Sequence, residues 1–441
     1  MTRGRDTLDS GTVSKLPTPG RGARILNASR MTLPKSFCLT LSALSLLLAA
    51  SVASAQDIEW ADAMKAAERA LNESRYDEAE QSLRTALRYA EKFKAGDRRL
   101  DRTFSALATL LYSRGNYAEA ERAYLDAVKM LEKTLGPEHL RVANSLTGLA
   151  VIYQMQGKFR EAEPLFERAL AIRERVLGPD HPDVANSLNN VGTLYNSEGK
   201  SAEAERAYTR ALAILEKVYG PSNLDVAGTV NNLGVVYGAE GKPNEAERFL
   251  KRALRIREAA LGPKHADVAA TLDNLGAFYN SQGRSEEAET VLTRALTIQE
   301  RVRGPEHADV AITLGHLAVA YEAQGRPAEA EAALQRSLVV WEKVLGSDDV
   351  RVAGTLGTLA KLYTAEGKHA DAEAALKRSV AIRERGAGSP SHDLAGDLET
   401  YAGLLRKMHR DSEAVALEAR AAAIRAELPA ANLSKRTSAP R

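Results

Sequence analysis

Residues 181–214 read HPDVANSLNNVGTLYNSEGKSAEAERAYTRALAI and contain two helical patterns separated by a glycine. The first pattern repeats apolar side chains at i, i+4, i+7 and i+11, on one face of a helix: Val184, Leu188, Val191 and Tyr195. Gly199 ends this helix, and Ala204 and Ala211 follow on a second one. Because small residues on facing helices allow close packing, the stretch predicts a tight helical hairpin.

The same pattern recurs along the chain with a period of 42 residues. Two glycine series have this period and interleave at 21 residues: Gly136, Gly178, Gly220, Gly262, Gly304 and Gly346, and Gly157, Gly199, Gly241, Gly283, Gly325 and Gly367. A helix commonly ends by placing a glycine in the left-handed conformation just past its last turn. A glycine every 21 residues therefore predicts an array of helices, with one hairpin in each repeat. Weaker copies on both sides extend the array to about nine hairpins over residues 57–427.

This order of large and small residues resembles the tetratricopeptide consensus, and the 42-residue length resembles most closely the repeats of kinesin light chain. The resemblance is strongest from residue 136 to residue 386. It implies an all-α fold, a right-handed α-solenoid (superhelix) of about nine tetratricopeptide-type hairpins. It also implies a non-enzymatic scaffold that binds another protein or a peptide segment.

Composition excludes several other classes of function. The 60 basic and 58 acidic side chains leave a formal charge of +2, so no broad electrostatic field attracts nucleic acid, and we predict no nucleic-acid partner. Cys38 is the only cysteine and lies inside an N-terminal apolar run. A mature chain without that run would contain no thiol for disulfides, thiolate metal ligands or nucleophilic catalysis.

The N-terminal region has the features of a bacterial secretion signal. Residues 31–55 combine a basic start, an apolar run and a small-residue cleavage pattern: Met31, Lys35, residues 37–50 and Ala53-Ser54-Ala55. We expect cleavage before Gln56, and a periplasmic or secreted protein without membrane attachment afterwards. A retained membrane anchor is the alternative, for which the run is short and diluted by Ser and Thr. Residues 1–30 are expected to be a leader outside the fold, since the true start could be Met31, and residues 428–441 a disordered tail.

Two patterns resemble binding sites, but their geometry argues against both. Gly199-Lys200-Ser201 follows a helix, and Leu194 stands where a phosphate loop requires its earlier glycine. Histidines recur in the inter-repeat loops: His139, His181, His265 and His307. Metal ligands must lie about 2.0–2.3 Å from one ion, whereas equivalent positions in stacked hairpins are more than about 15 Å apart. We therefore predict no metal, no cofactor and no catalytic residue, and we interpret the Glu-Ala-Glu runs as solvated helix faces.

Polar side chains form a second stripe on the predicted first helices. In the fourth hairpin this stripe is uncharged: Asn186, Asn189, Asn190, Thr193, Asn196 and Ser197. Matching positions 42 residues apart also hold amides or an acid: Asn231, Asn232, Asp273, Asn274 and Asn280. Asparagine is a modest helix former, so its repetition inside helices indicates a cause other than propensity. Either these side chains pair with a ligand's backbone, or they join adjacent hairpins by hydrogen bonds or were copied by duplication.

In tetratricopeptide proteins, the first helices line a concave groove, and asparagines there commonly bind the backbone of an extended peptide. The resemblance therefore implies a peptide-binding groove at nine positions: Asn186, Asn189, Asn190, Asn196, Asn231, Asn232, Asp273, Asn274 and Asn280. Flanking hairpins replace Asn190 by Gly148, His316 and Thr358, so we expect a central contact zone. Two further functions stay open: a structural or assembly subunit that acts through its edges or convex face, and a regulatory partner of a separate enzyme.

Overall fold

The computed structural model describes residues 39–73, 75–93, 97–114, 116–386 and 391–427, with side chains from residue 55 onward. These residues form 18 α-helices and no strand, which confirms the all-α fold. The chain divides into two compact units, residues 1–61 and 62–441. The segments predicted as a leader and a tail, residues 1–30 and 428–441, lie outside the described residues.

The helices form nine consecutive pairs, as the glycine period predicts. We call the members of each pair the first and the second helix. Their bounds are α1 (Leu39–Asn72), α2 (Tyr76–Ala90), α3 (Arg98–Ser113), α4 (Tyr117–Leu135), α5 (Leu140–Met155), α6 (Phe159–Leu177), α7 (Pro182–Ser197), α8 (Ser201–Tyr219), α9 (Leu224–Ala239), α10 (Pro243–Leu261), α11 (Ala266–Ser281), α12 (Ser285–Arg303), α13 (Ala308–Ala323), α14 (Pro327–Leu345), α15 (Val350–Ala365), α16 (His369–Gly386), α17 (His392–Lys407) and α18 (Asp411–Glu427).

Helix α1 contains the position where we expect signal cleavage, between Ala55 and Gln56. The structure does not test cleavage, which stays a prediction. Among the described residues, no helix combines the length and the apolar character that crossing a membrane requires.

The two glycine series end helices in different ways. All twelve glycines have positive φ, as predicted. In the first series, Gly220 has φ 80° and ψ 165°, which is a region open essentially to glycine alone and not the predicted left-handed helical conformation. The second-series slot is less restrictive, because His409 occupies it in the last hairpin with φ 57°. The first series is therefore the stricter requirement for glycine.

The predicted apolar stripe forms the contact between the two helices of a hairpin. Val184, Leu188 and Val191 are buried in α7. Glycines in first helices allow the second helix to approach closely: a Cβ atom on Gly276 would lie 2.4 Å from Leu292 Cγ. The paired second-helix positions Ala204 and Ala246 are fully buried. The core of each hairpin is therefore fixed by small residues facing large ones.

Ion pairs connect successive second helices. Each pair joins an arginine to a glutamate of the preceding hairpin, and both partners recur with a period of 42: Arg168–Glu132, Arg210–Glu174, Arg252–Glu216, Arg294–Glu258, Arg336–Glu300, Arg378–Glu342 and Arg420–Glu384. Arg252 also donates to the backbone carbonyl of Pro221. This series connects each of these second helices to the second helix of the preceding hairpin.

The interpretation of the Glu-Ala-Glu runs as solvated faces is wrong for the second glutamate of each run. Glu205 accepts a hydrogen bond from the Tyr237 hydroxyl at 3.1 Å and pairs with Lys242 at 3.0 Å, both in the next hairpin. The Lys242 ammonium lies 5.1 Å from the centre of the Tyr237 ring. At the equivalent Glu247, hydrogen bonds from Arg284 and Lys251 lower the pKa to about 2. These glutamates are therefore junctions between hairpins.

Candidate functional site

The first helices lie on the side of the stack where the backbones of neighbouring hairpins approach most closely. First helices of neighbouring hairpins contact each other directly, as α7 with α9, α9 with α11 and α11 with α13 do. In the part of the chain that the structure describes, the backbones of successive second helices do not approach each other in this way, and long side chains bridge them instead, as in the Arg252–Glu216 ion pair. We therefore call the side formed by the first helices, where the backbones of neighbouring hairpins approach most closely, the inner wall. This agrees with what the resemblance implies.

An exposed face follows this wall from α5 to α13. It consists of four positions on each first helix, at i, i+4, i+7 and i+11, and none of them is buried. We call this set the inner face: Asn144, Gly148, Val151, Met155, Asn186, Asn190, Thr193, Ser197, Gly228, Asn232, Val235, Ala239, Ala270, Asn274, Ala277, Ser281, Ile312, His316, Val319 and Ala323. No Asp, Glu, Lys or Arg is among them. The inner face thus combines amides, hydroxyls and small aliphatic side chains.

Charged side chains lie beside the inner face, not on it. Aspartates occupy the first turn of four first helices: Asp183, Asp225, Asp267 and Asp309. A carboxylate at this position is favoured by the partial positive charge at a helix N-terminus. Glu322 lies in the last turn of α13, next to Ala323. Beyond the first turn, the inner face has no Asp, Glu, Lys or Arg over five consecutive hairpins, and its one histidine, His316, is paired with Asp273.

The predicted site residues divide into two groups by their surroundings. Asn186 is exposed, and Asn190, Asn232 and Asn274 are half-buried on the inner face. Asn196, just beside it, is also half-buried. The Asn190 side chain has no hydrogen bond with any described residue. This first group can contact a ligand directly.

The second group lies deeper and joins neighbouring first helices. Asn189 Nδ2 donates to Thr229 Oγ1 of the next hairpin at 2.9 Å. Asn231 is buried, and its Oδ1 accepts from Asn274 Nδ2 at 3.1 Å. These are the hydrogen bonds that the structural alternative requires. The amides that the sequence assigns to a ligand are in part used between hairpins.

Asp273 forms a second buried polar junction of the inner wall. Its Oδ1 accepts from Thr313 Oγ1 at 2.7 Å, and its Oδ2 lies 3.1 Å from His316 Nδ1 in the next first helix. Burial would lower the pKa of His316, but the hydrogen bond and the charge of Asp273 outweigh burial and raise the pKa. Asn280 Nδ2 donates to the His316 carbonyl at 2.8 Å. Asp273 and Asn280 therefore both hold α13 against α11.

A half-buried guanidinium, which we did not predict from the sequence, lies beneath the inner face. Arg173, on the second helix α6, donates to Thr147, Ser187 and Asn144 across three helices. Burial lowers its pKa. Arg257 has the same position two hairpins later and donates to Thr271 Oγ1 at 2.6 Å. The clue available in the sequence is that this slot holds Leu215 between the two arginines.

Glycines inside the first helices have two different environments. At Gly192, Gly234 and Gly276, an added Cβ would lie less than 3.0 Å from a side chain of the second helix. At Gly228, on the inner face, and at Gly315, beside it, an added Cβ would have no neighbour within 4 Å. The first set is explained by packing within the hairpin, and Gly148 on the inner face is also explained by packing, because an added Cβ there would lie 2.3 Å from the Tyr124 ring of the preceding hairpin. The second set is not explained by any contact within the described chain.

The recurrent loop histidines cap the first helices. His181 Nδ1 accepts a hydrogen bond from the backbone N–H of Asp183 at 3.1 Å, and His265 does the same for Asp267. Asn223 and Asp349 perform this role in other hairpins. Among the described residues, no three His, Cys, Asp or Glu side chains lie where they could hold one metal ion. The histidines therefore repeat because each hairpin needs an N-cap.

Known proteins contain the same kind of repeat. The family profile "Tetratricopeptide repeat" matches in five segments: 99–175, 141–217, 225–301, 267–338 and 309–385. No curated protein sequence matches the chain. Among solved structures, the chain is similar to BtubC (BKLC) from P. vanneervenii, with 27% identity and a TM-score of 0.43 over 53% of this chain and 92% of that chain.

Two further solved structures are similar to this chain. The putative kinesin light chain repeats from Podosopora anserina are 27% identical, with a TM-score of 0.39 over 47% of this chain and 98% of that chain. The apo form of the quorum sensor NprR from B. thuringiensis is 14% identical, with a TM-score of 0.55 over 85% of this chain and 99% of that chain. At that identity, the last similarity shows the fold alone.

Proposed function

Because the chain belongs to the tetratricopeptide repeat family, we propose that it is a non-enzymatic scaffold that binds an extended segment of another protein along its inner face. The observation that carries this proposal is the set of helix-interior glycines with open space in front of them. Gly228 and Gly315 each cost about 1 kcal/mol of helix stability relative to alanine. Glycine is used where another backbone must approach closely, and a bound segment provides such a backbone.

The amides of the inner face supply the matching hydrogen-bond chemistry. An asparagine side chain donates and accepts at once, so it can pair with both groups of a peptide unit. Asn190 has no hydrogen bond within the described chain, and it lies on the same exposed stripe as Gly228 and Asn232. Hydrogen bonds to backbone groups, with small side chains around them, favour an extended segment over a folded surface.

A second function, as an assembly subunit acting through an edge, is favoured by one specific feature. Exposed valines recur with a period of 42 residues at the C-terminal ends of second helices: Val176, Val218, Val302 and Val344. Repeated exposed apolar side chains are typical of interaction surfaces. In this alternative, the inner face is unused, and the valine edge contacts a partner or a second copy. A third role, as regulatory partner of a separate enzyme, is compatible with binding at either surface.

Matched valines on the two surfaces separate these functions. Val235 and Val319 on the inner face are 38% and 44% exposed, and Val218 and Val302 on the edge are 46% and 51% exposed. Arginine should be tolerated by the fold at all four positions, because none is buried. Peptides would first be selected on the full chain from a random 16-residue display library. Their affinities would then be measured by fluorescence anisotropy for the two double Val→Arg variants.

We expect the inner-face variant to lose at least tenfold in affinity and the edge variant to stay within about twofold of the parent chain. One buried, unpaired charge costs enough to give a loss of this size. If only the edge variant loses affinity, the inner face is not the binding site and the edge takes its place.

We also propose that the protein is exported and begins at Gln56. N-terminal sequencing of the protein purified from an extracytoplasmic fraction should then start at that residue. Residues 31–50 retained in a membrane fraction would instead support the anchored alternative.

A further inference from the structure

The charges around the inner face define the chemistry of its partner. Resting on the proposed function of this face, we infer that the bound segment carries no charged side chains where it crosses α5 to α13 and carries a carboxylate where it reaches α15 and α17. The first half of this inference comes from the uncharged stripe. The second half comes from two lysines that continue the stripe.

An uncharged wall selects against charged ligands. Over five hairpins, the inner face offers amides, hydroxyls and aliphatic side chains, but no Asp, Glu, Lys or Arg. A ligand charge placed against such a wall would lose water without gaining an ion pair on the face itself, because the guanidinium of Arg173 beneath it is already hydrogen-bonded to Thr147, Ser187 and Asn144. Met155, Val235 and Ile312 are exposed on the face and can contact small apolar ligand side chains instead.

Two basic residues occupy the inner face in the next two hairpins. Lys361 on α15 has the position of Thr193, and Lys407 on α17 has the position of Ser197. Both are exposed, and neither takes part in an ion pair among the described residues. The other charges of these helices are engaged: Asp397 with Arg383, Glu399 with Arg425 and Arg406 with Glu418. The two free ammonium groups therefore complement a ligand carboxylate.

The spacing of the helices gives the length of the segment. Because neighbouring first helices contact each other directly, each step between them is the about 8–10 Å of packed helices and not the more than about 15 Å predicted from the sequence, so the four steps from α5 to α13 span about 32–40 Å. An extended chain advances about 3.3–3.6 Å per residue, so about ten to twelve residues cover this distance. The segment would reach Lys361 on α15 about three residues beyond the uncharged stretch and Lys407 on α17 about five or six residues beyond it, so the carboxylate would lie in this interval.

The chain's own C-terminal residues do not fit this description. Residues 428–441 contain no acidic side chain, and their charged residues are Lys435, Arg436 and Arg441. Basic side chains at the lysine end of the wall would be repelled. A separate protein segment with an uncharged stretch and an acidic end is therefore the occupant to which the inner face points.

The experiment reads the composition of the selected peptides. The full chain would be presented with a random 16-residue library on phage, and the charged residues of enriched peptides would be counted by position against the unselected library. We expect Asp, Glu, Lys and Arg to be depleted at least threefold over a stretch of about ten residues, with Asp or Glu enriched at one end. A charge reversal then tests the lysines directly.

The double variant Lys361→Glu with Lys407→Glu should lower the affinity for a selected peptide with an acidic end at least tenfold. Replacing the acidic residue of that peptide by Lys should restore most of the lost affinity. Charged residues throughout the enriched peptides, or a charge reversal without effect, would overturn the inference.

The proposed function fails in a different way, because it requires that Val235→Arg with Val319→Arg reduce binding whatever the peptide's charge. Loss of binding in those valine variants, with no effect of the lysine reversal, would leave the function standing and remove the inference. If the enriched peptides matched a segment of this chain, the occupant would be a second copy and the inference of a separate partner would fall.

Discussion

The inner face and the second-helix side of the same hairpins use opposite chemistry. On the second helices, arginines and glutamates pair between hairpins at every repeat, as Arg252 does with Glu216. On the inner face from α5 to α13, the same chain of 27% charged residues shows none. Packing between hairpins therefore does not need uncharged residues as such. We attribute the absence of Asp, Glu, Lys and Arg on this surface to the proposed binding of a segment of another protein.

The two kinds of glycine inside the first helices show a similar contrast between packing and open surface. Gly276 faces Leu292 at a distance that leaves no room for a Cβ, whereas Gly228 faces open space. The fold thus requires glycine at Gly276 and does not require it at Gly228, although the residue type is the same. The two glycines differ only in their neighbours. Substitution by alanine should therefore lower the free energy of unfolding at Gly276 and raise it at Gly228.

The largest expected effect is at the packed glycine. Gly276→Ala would place a methyl group 2.4 Å from Leu292 Cγ, so α11 and α12 must separate or Leu292 must change rotamer. Such overpacking costs about 1–3 kcal/mol of unfolding free energy. Urea unfolding followed by circular dichroism should show a clear loss in Gly276→Ala. An unchanged midpoint would mean that the hairpin is less tightly packed than the structure describes.

A similar loss is expected at the buried junction of the inner wall. Asp273→Ala removes the acceptor of Thr313 Oγ1 and the partner of His316. A buried polar group left without its partner costs about 1–3 kcal/mol. Asn190→Ala is the matched control, because that side chain makes no hydrogen bond within the described chain, and it should change the unfolding midpoint little. Equal losses in both variants would remove the distinction between the two groups of site residues.

The same junction predicts a pH dependence. Because the pKa of His316 is raised in the folded chain, its contribution is fully present below the ordinary value of about 6.5 and is lost as the pH rises through the folded pKa. The gap in unfolding midpoint between the parent and His316→Gln should therefore be larger at about pH 5.5 than at about pH 8.5. A gap that grows with pH would contradict the assigned pairing with Asp273.

The smallest effect is expected on the second-helix side. Arg252→Ala removes one pair of a long series, and exposed pairs of this kind contribute about 0–1 kcal/mol. The loss should shrink further in high salt, since salt screens exposed charges. Thermal melting at low and high ionic strength checks both statements. A loss as large as that of Gly276→Ala would show that the second-helix pairs, not the small residues, fix the stack.

The fold could be predicted from the sequence because its signal repeats. The glycines at 21-residue intervals and the apolar stripe containing Val184 locate every central hairpin, and the structure confirms them. The inner position of the asparagines follows from the resemblance. Which of them are used internally does not follow, because Asn189 and Asn190 are chemically alike and differ only in the Thr229 hydroxyl near one of them. The sequence period shows on which face of its helix a residue lies, but it does not show which side chain of the next hairpin the residue contacts.

The glutamates of the Glu-Ala-Glu runs were misinterpreted for the same reason, because the sequence period does not identify their contact partners. Glu203 and Glu205 belong to one Glu-Ala-Glu run, yet only Glu205 meets Tyr237 and Lys242 of the next hairpin. The tyrosine repeats at 42 residues as regularly as the glutamate, and the lysine position holds either Lys or Arg, so the three series together contained the signal. Each series alone is equally compatible with core packing or with a solvated surface.

The most direct test of the inner face as a binding surface is the double variant Gly228→Ala with Gly315→Ala, measured for stability and for binding in parallel. Alanine is the better helix former by about 1 kcal/mol at each site, and neither added methyl group would contact a described atom within 4 Å. We predict a higher melting temperature than that of the parent chain, together with at least tenfold weaker binding of the peptides selected on the parent. A variant that is more stable and binds those peptides with unchanged affinity would contradict the assignment of the inner face as the binding surface.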